Sequence, residues 1–207
     1  MVFKKLADAA FGRNMTVTID RAAMDRMMET LGQSLPERDG EQMALLGVRK
    51  GGNGDHIAVL SPVPTHHATS HLVSVNHDVL NGFVRHTLEP QGMAVGGMMH
   101  TQPANDSKLS PDDISGARGF MQGFRNFYKG QTPNYFLAPI MHFDRNRNPQ
   151  VTTWVFDARH PERDPFKANM DVTGANGARM EANNYIRMSQ QDKRGLDQVF
   201  GAPGQAC

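Results

Sequence analysis

The chain predicts an α/β protein: a mixed β-sheet flanked by helices, followed by a polar C-terminal arm. Three observations carry this. Residues 93–99 form an apolar, glycine-containing run of the kind found in a buried central strand. From Ser110 onward, Ile114, Ala117, Phe120, Met121 and Phe124 recur at helical spacing and give one apolar face. Before and after these, strand-like and helix-like runs alternate, which is the order expected of a sheet with helices packed on it.

Taken along the chain, Phe3, Leu6, Ala7, Ala10 and Phe11 make an apolar stripe, so residues 1–13 are expected to form an amphipathic helix closed by Gly12. Residues 15–19 alternate with β-branched side chains and predict a short strand. Asp20 is placed to cap a helix whose face is Ala23, Met24, Met27, Met28 and Leu31 and whose end is Gly32. Residues 42–48 predict a strand, the Gly51 to Asp55 stretch a hairpin turn, and 57–60 a second strand. The glycines there do not make a phosphate loop, because no Gly-Lys-Ser/Thr follows and no helix opens. Residues 72–75 are a strand candidate and 79–87 a helix candidate. The run 93–99 then leads to His100, and two further strands are expected at 135–143 and 151–156, joined by a polar turn. From about Ala158 the composition turns to Asn, Gly, Asp, Arg and Gln. Residues 158–207 are therefore expected to be a partly disordered arm with a weak helix near 178–200. The domain proper is expected at 14–157.

Bulk properties narrow the function classes. The 207 residues allow one domain with a real core plus an appendage. A net charge of +1 gives no general pull toward nucleic acid or membrane, and basic residues are dispersed. No apolar run is long enough for a membrane helix, and no secretory leader is expected after Lys4 and Lys5. Cys207 is the only cysteine, so no intrachain disulfide and no cysteine-based zinc finger can form. A reducing cytoplasm is the expected compartment. The 14 methionines are read as adaptable core filler.

The chemistry-bearing stretch is His100-Thr101-Gln102-Pro103 followed by Ser110-Pro111-Asp112-Asp113, a pattern H-x-Q-P-x6-S-x-x-D. In extended chain, His100 and Gln102 point to the same side, and Asp113 stands at the start of the next helix. A hydrolytic zinc site uses about three protein ligands with an open position for water, and a carboxylate that takes the water's proton. Each residue also has a plain reading. Ser110 is a good N-cap with Pro111 at the first helical position and Asp113 answering back. A histidine after an apolar strand is often a hydrogen-bonded structural residue.

These residues together resemble the JAMM (JAB/MPN) metalloprotease family, whose pattern is an upstream Glu strand, then H-x-H-P, then S-x-x-D. Glu41 opens Glu41-Gln42-Met43-Ala44-Leu45-Leu46-Gly47, similar to the family's Glu strand, and His100, Ser110 and Asp113 match the later motif in order. The gap between Pro103 and Ser110 looks most like the RadC-type branch. The resemblance spans roughly residues 15–157. It implies the JAB/MPN fold, a cytidine-deaminase-like sandwich, and a Zn2+ cofactor held by His100 and Asp113. It also implies Glu41 as general base and Ser110 as a donor to the developing oxyanion. The implied reaction is hydrolysis of a peptide or isopeptide bond, on a protein or ubiquitin-like substrate.

The departure is Gln102, where the family has its second His. A Gln offers only a neutral amide oxygen, whereas zinc sites favour imidazole, thiolate or carboxylate. Three outcomes stand open: Gln102 ligates weakly, another histidine fills the gap, or the fold serves as a protein-binding module without stable zinc. His71, His77 and His142 are the candidates for the second outcome. His66, His67, His71 and His77 also form a rival cluster, but its prolines and lack of acidic partners favour a solvated loop. No nucleophile elbow, dinucleotide fingerprint, His-Glu-x-x-His helix or EF-hand loop is present.

Overall fold

A computed structural model describes residues 15–33, 42–62, 68–69, 72–73, 81–102, 106–128 and 132–201. The expected 1–13 helix lies outside the described residues. So do Glu41, Pro103, the histidines at 66, 67, 71 and 77, and Cys207. The strands are β1 (Thr16–Asp20), β2 (Met43–Arg49), β3 (His56–Ile57), β4 (Val59–Pro62), β5 (Ala68–Thr69), β6 (Leu72–Val73), β7 (Met93–Gln102), β8 (Tyr135–Phe143), β9 (Pro149–Asp157), β10 (Phe166–Thr173) and β11 (Arg179–Glu181). The helices are α1 (Arg21–Gln33), α2 (Pro111–Tyr128), α3 (Ala182–Gln191) and α4 (Lys193–Phe200). None of those described is long and apolar enough to cross a membrane.

The α/β class is as the sequence predicts. The main sheet runs β3-β1-β10-β9-β8-β7-β2-β4, with β11 against β10, while β5 and β6 form a separate pair. It is mixed: β1 is parallel to β10 and to β3, β7 is parallel to β8, and the remaining neighbours are antiparallel. β3 and β4 are joined through Ala58 alone yet sit at opposite ends of that order. The sheet therefore curls until its two edges share one segment, with Thr18 N–H donating to Asp55 O (2.8 Å) and Ala58 N–H to Gly47 O (3.0 Å). Gly54 permits this turn. Its φ of +84° suits glycine, and a Cβ there would lie 2.7 Å from Tyr135 O.

Each face of the sheet has its own core. On one, Met24 and Met27 of α1, Tyr185 and Ile186 of α3, and Leu196 and Phe200 of α4 pack on Ile19, Leu46, Met99, Leu137 and Val172. On the other, Ala117, Met121 and Phe124 of α2, with Val84 and Leu88, pack on Leu45, Val95, Met98, Phe136 and Phe156. β7 is buried from Ala94 to Thr101, which explains its apolar run. Gly97 allows β8 to approach, since a Cβ there would stand 2.0 Å from Leu137 O.

The arm expected from residue 158 is corrected by this structure. β10 is an interior strand between β1 and β9, and Tyr185, Ile186, Leu196 and Phe200 are core residues. The physical reason is period-two patterning. Phe166, Ala168, Met170 and Val172 alternate with Lys167, Asn169, Asp171 and Thr173, so half of a polar-looking segment is an apolar strand face. The weak helix expected near 178–200 resolves into β11, α3 and α4. Glu181 caps α3 by accepting from the N–H groups of Asn183 and Asn184, and Asp192 caps α4 by accepting from Gly195 N–H. Of the helix expected at 79–87, residues 81–83 are α-helical and run into a π-helical turn over Val84–Leu88, followed by a 3-10 turn over Glu89–Gln91.

Candidate functional site

β7, α2 and β8 form a β-α-β unit with parallel strands. Ligand sites in open α/β sheets gather at the carboxyl ends of such strands. His100 and Gln102 occupy that end of β7, Ser110 and Asp113 the N-terminal end of α2, and His142 the end of β8. His100, Gln102 and His142 share the sheet face covered by α2. The register pairs His100 with Ile140 and Gln102 with His142, and parallel neighbours in register point the same way.

His100 Nε2 lies 4.0 Å from Asp113 Oδ2. Both His100 Nε2 and Gln102 Oε1 are buried and make no hydrogen bond among the described residues. Such orphaned buried atoms are uncommon and call for an explanation. Burial pushes the His100 imidazole below its ordinary value of 6.5, and the Asp113 carboxylate opposes this only in part. The ring is therefore held neutral, with a lone pair available.

Asp113 and Ser110 are tied to each other. Asp113 Oδ2 accepts from Ser110 N–H (2.7 Å) and from Ser110 Oγ–H (2.8 Å), while Asp113 N–H donates to Ser110 Oγ (3.1 Å). This is the reciprocal cap expected of Ser110-Pro111-Asp112-Asp113, and it also turns the Asp113 carboxylate toward His100. Ser110 meets Asp113 here, so its hydroxyl proton is already engaged.

Glu41 itself lies outside the described residues, but the chain next to it is fixed. Gln42 N–H donates to Thr101 Oγ1 (2.8 Å) and Gln42 O accepts from Thr101 N–H (2.9 Å). Thr101 stands between His100 and Gln102, and Met43 is the register partner of His100.

His142, which the sequence marked only as a remote substitute ligand, is buried beside Gln102. Its Nε2 lies 3.1 Å from Thr152 Oγ1 and its Nδ1 3.4 Å from Phe143 O. Burial lowers its pKa, the Phe143 carbonyl raises it, and Lys167 lowers it, with Asp106 and Asp144 opposing. Trp154 Nε1–H donates to Ser107 O (2.8 Å), pinning the loop before α2, and Lys167 Nζ lies 5.0 Å from the Trp154 ring centre. The sequence signal for His142 was its place at the end of an apolar strand, as for His100. The pairing with Gln102 is a matter of register between strands far apart in sequence.

The donors present fit a cation only partly. His100 offers a neutral nitrogen, Asp113 a carboxylate oxygen and Gln102 an amide oxygen. Two tetrahedral ligands of zinc stand about 3.4 Å apart given bonds near 2.0–2.1 Å, so the 4.0 Å separation has to close by a few tenths of an ångström. Among the described residues, no three His, Cys, Asp or Glu side chains come together as a metal-binding group. His100 and Asp113 are thus two donors of the kind zinc favours, and the Gln102 amide on the same strand face is a weaker donor than the imidazole of a two-histidine site.

No protein-family model matches the chain, and none of the curated proteins matches it. Solved structures do resemble it. Protein DSY2949 from Desulfitobacterium hafniense is 17% identical over 77% of this chain and 93% of its own, with a TM-score of 0.54. A JAB1/MPN domain protein, AF2198 from Archaeoglobus fulgidus, is 18% identical over 75% of this chain and 98% of its own, at a TM-score of 0.40. A Salinibacter ruber protein is 14% identical over 73% and 88%, at 0.43. At these identities the likeness concerns the fold, and DSY2949 carries it: this chain shares the mixed-sheet α/β architecture of that protein.

Proposed function

We propose that the carboxyl end of the β7-α2-β8 unit is a JAMM-type metallopeptidase site with RadC-like spacing. It would hydrolyse a peptide or isopeptide bond in a protein or ubiquitin-like substrate. The observation that supports this most is the buried, unpartnered, neutral Nε2 of His100 facing the Asp113 carboxylate. His100 and Asp113 would hold a divalent cation, zinc by preference for this donor set, with the Gln102 amide oxygen as a third, weaker donor. Such a cation supplies Lewis acidity, which polarises an amide carbonyl and acidifies water. Glu41 takes the proton of the attacking water. The Ser110 hydroxyl exchanges Asp113 for the developing oxyanion as its acceptor. The single cysteine and the near-neutral charge suit a cytoplasmic protein.

A second reading has its own support. Gln102 stands where a strong ligand is needed, and Ser110 and Asp113 already satisfy one another. On that reading the chain is a protein-binding module without stable zinc. Zinc per chain, measured after purification without chelator, separates the two. The hydrolase reading expects one equivalent, lost in His100→Ala and Asp113→Ala. Chain that takes up no zinc even when supplied with it belongs to the binding module.

A further inference from the structure

We infer that Asn176, in the turn between β10 and β11, is a site of spontaneous modification: water converts its side-chain amide to a carboxylate, and this loosens α4. The chain holds three Asn-Gly pairs, Asn53-Gly54, Asn81-Gly82 and Asn176-Gly177. Such pairs favour this reaction because glycine leaves the nitrogen after the asparagine unhindered and the backbone free to turn. The fold separates the three. Gly54 is buried, and Asn53 is pinned twice: its carbonyl accepts from Tyr135 N–H (2.9 Å) and its side-chain oxygen from Asn134 Nδ2 (2.9 Å). Asn81 and Gly82 lie in the helical stretch 81–83, where ψ is fixed. Asn176 and Gly177 are both exposed, and nothing stands within 4 Å of where a Gly177 Cβ would be.

The local geometry brings the reacting atoms together. Asn176 Oδ1 accepts from Ala178 N–H at 3.1 Å. An asparagine bonded to the second residue on folds its side chain over the peptide between, and the nitrogen of that peptide belongs to Gly177. The Ala178 N–H also stands ready to hold the negative oxygen that forms when Cγ is attacked. Gly177 N–H is held by the Gly174 carbonyl (3.0 Å) across an open turn. Once released, Gly177 N bonds to Asn176 Cγ, the Cγ–Nδ2 bond breaks, and ammonia leaves with the proton of the Gly177 nitrogen. Water then opens the cyclic imide at either carbonyl, giving aspartate or isoaspartate at position 176. The net change is one water consumed and one ammonia released.

The amide that is lost has a task. Asn176 Nδ2 donates to Val199 O (2.8 Å), at the C-terminal end of α4. The turn lies close against that end, since a Cβ on Gly174 would stand 2.8 Å from the Phe200 ring. A carboxylate at 176 has no proton to donate and turns a negative oxygen toward the Val199 carbonyl. α4, which buries Leu196 and Phe200, then keeps the bonds of Arg21 to Asp197 and to the Gly201 carbonyl but loses this one.

The test ages the purified full chain in mildly alkaline buffer, with and without denaturant, and maps amide loss by tandem mass spectrometry. Aspartyl and isoaspartyl peptides are separated by chromatography. In the folded chain, conversion at Asn176 is expected to run several-fold faster than at Asn53 and Asn81. In denaturant the three are expected to convert at similar rates, because only the fold distinguishes them. Conversion at Asn176 no faster than at the other two in the folded chain, or the same preference in denaturant, overturns the inference. The consequence is read on Asn176→Asp by limited proteolysis with trypsin. Faster cleavage after Lys193 and Arg194 of α4 than in the parent is expected, and parent-like cleavage overturns the loosening of α4.

Discussion

Gln102 shows how much one side chain decides. It lies two residues past His100, on the same strand face, at the carboxyl end of β7, where the proposed site would need a ligand. Its chemistry is weak, because an amide oxygen carries no charge and competes poorly with water for zinc. The substitution Gln102→His restores an imidazole at a place the backbone already presents. Zinc affinity is expected to rise by about an order of magnitude or more, measurable by competition titration. No gain in a folded variant would mean that this face of β7 does not look onto a cation site. Ser110 carries a second burden at the same scale. Its hydroxyl both caps α2 and binds Asp113, so Ser110→Ala is expected to cost about 1 kcal/mol of stability, read from the denaturation midpoint. It also frees the Asp113 carboxylate to move.

Among the elements, α3 and α4 are fastened to α1 by one partly buried polar network. Arg21 Nε donates to Tyr185 Oη (3.1 Å), the Tyr185 hydroxyl donates to Asp25 Oδ1 (2.7 Å), and Arg21 also reaches Asp197 and the Gly201 carbonyl. Burial, helped by Asp25, pushes the Tyr185 phenol well above its ordinary value of 10.0. The unfolded chain then releases this proton before the folded one does. The stabilisation is complete below pH 10.0 and declines as pH rises past it. Tyr185→Phe should lose about 1–3 kcal/mol near neutrality and show a shallower decline above pH 10, checked by denaturant titrations across that range. A decline as steep as the parent's would assign the alkaline sensitivity elsewhere. This network was invisible in the sequence, because Arg21 and Tyr185 are joined only by the fold. β7, α2, β8 and β9 were legible, since continuous burial or a single helical face leaves a pattern in composition. The meeting of His100, Ser110 and Asp113 was legible for a related reason: cap spacing and strand alternation fix local geometry. β10 was hidden because its polar half resembled the Asn- and Gly-rich stretch around it. The pairing of Gln102 with His142 was hidden because register is set by packing across the whole sheet.

For the molecule as a whole, the decisive fact is that β10, late in the chain, is laid between two earlier strands of the main sheet. β1, near the start of the described chain, pairs with β10 over five positions and with the two-residue β3 on its other side. β10 joins β1 to β9. Without β10, β1 would keep only β3, and α1 would lose the partners that α3 and α4 provide through Tyr185 and Phe200. A chain ending at residue 157 would retain β7, α2 and β8, and so every described residue of the candidate site. It would also expose one side of a core face, a loss that a marginally stable domain cannot absorb. Such a truncation is therefore expected to lack a cooperative unfolding transition and a native near-ultraviolet signal from Trp154, and to bind hydrophobic dye. Cooperative unfolding at the parent's midpoint would show that β10 is dispensable and that the site's unit folds alone. The expected collapse would mean that the site depends on chain closure: the carboxyl end of β7 is held in place by a strand that arrives more than sixty residues later.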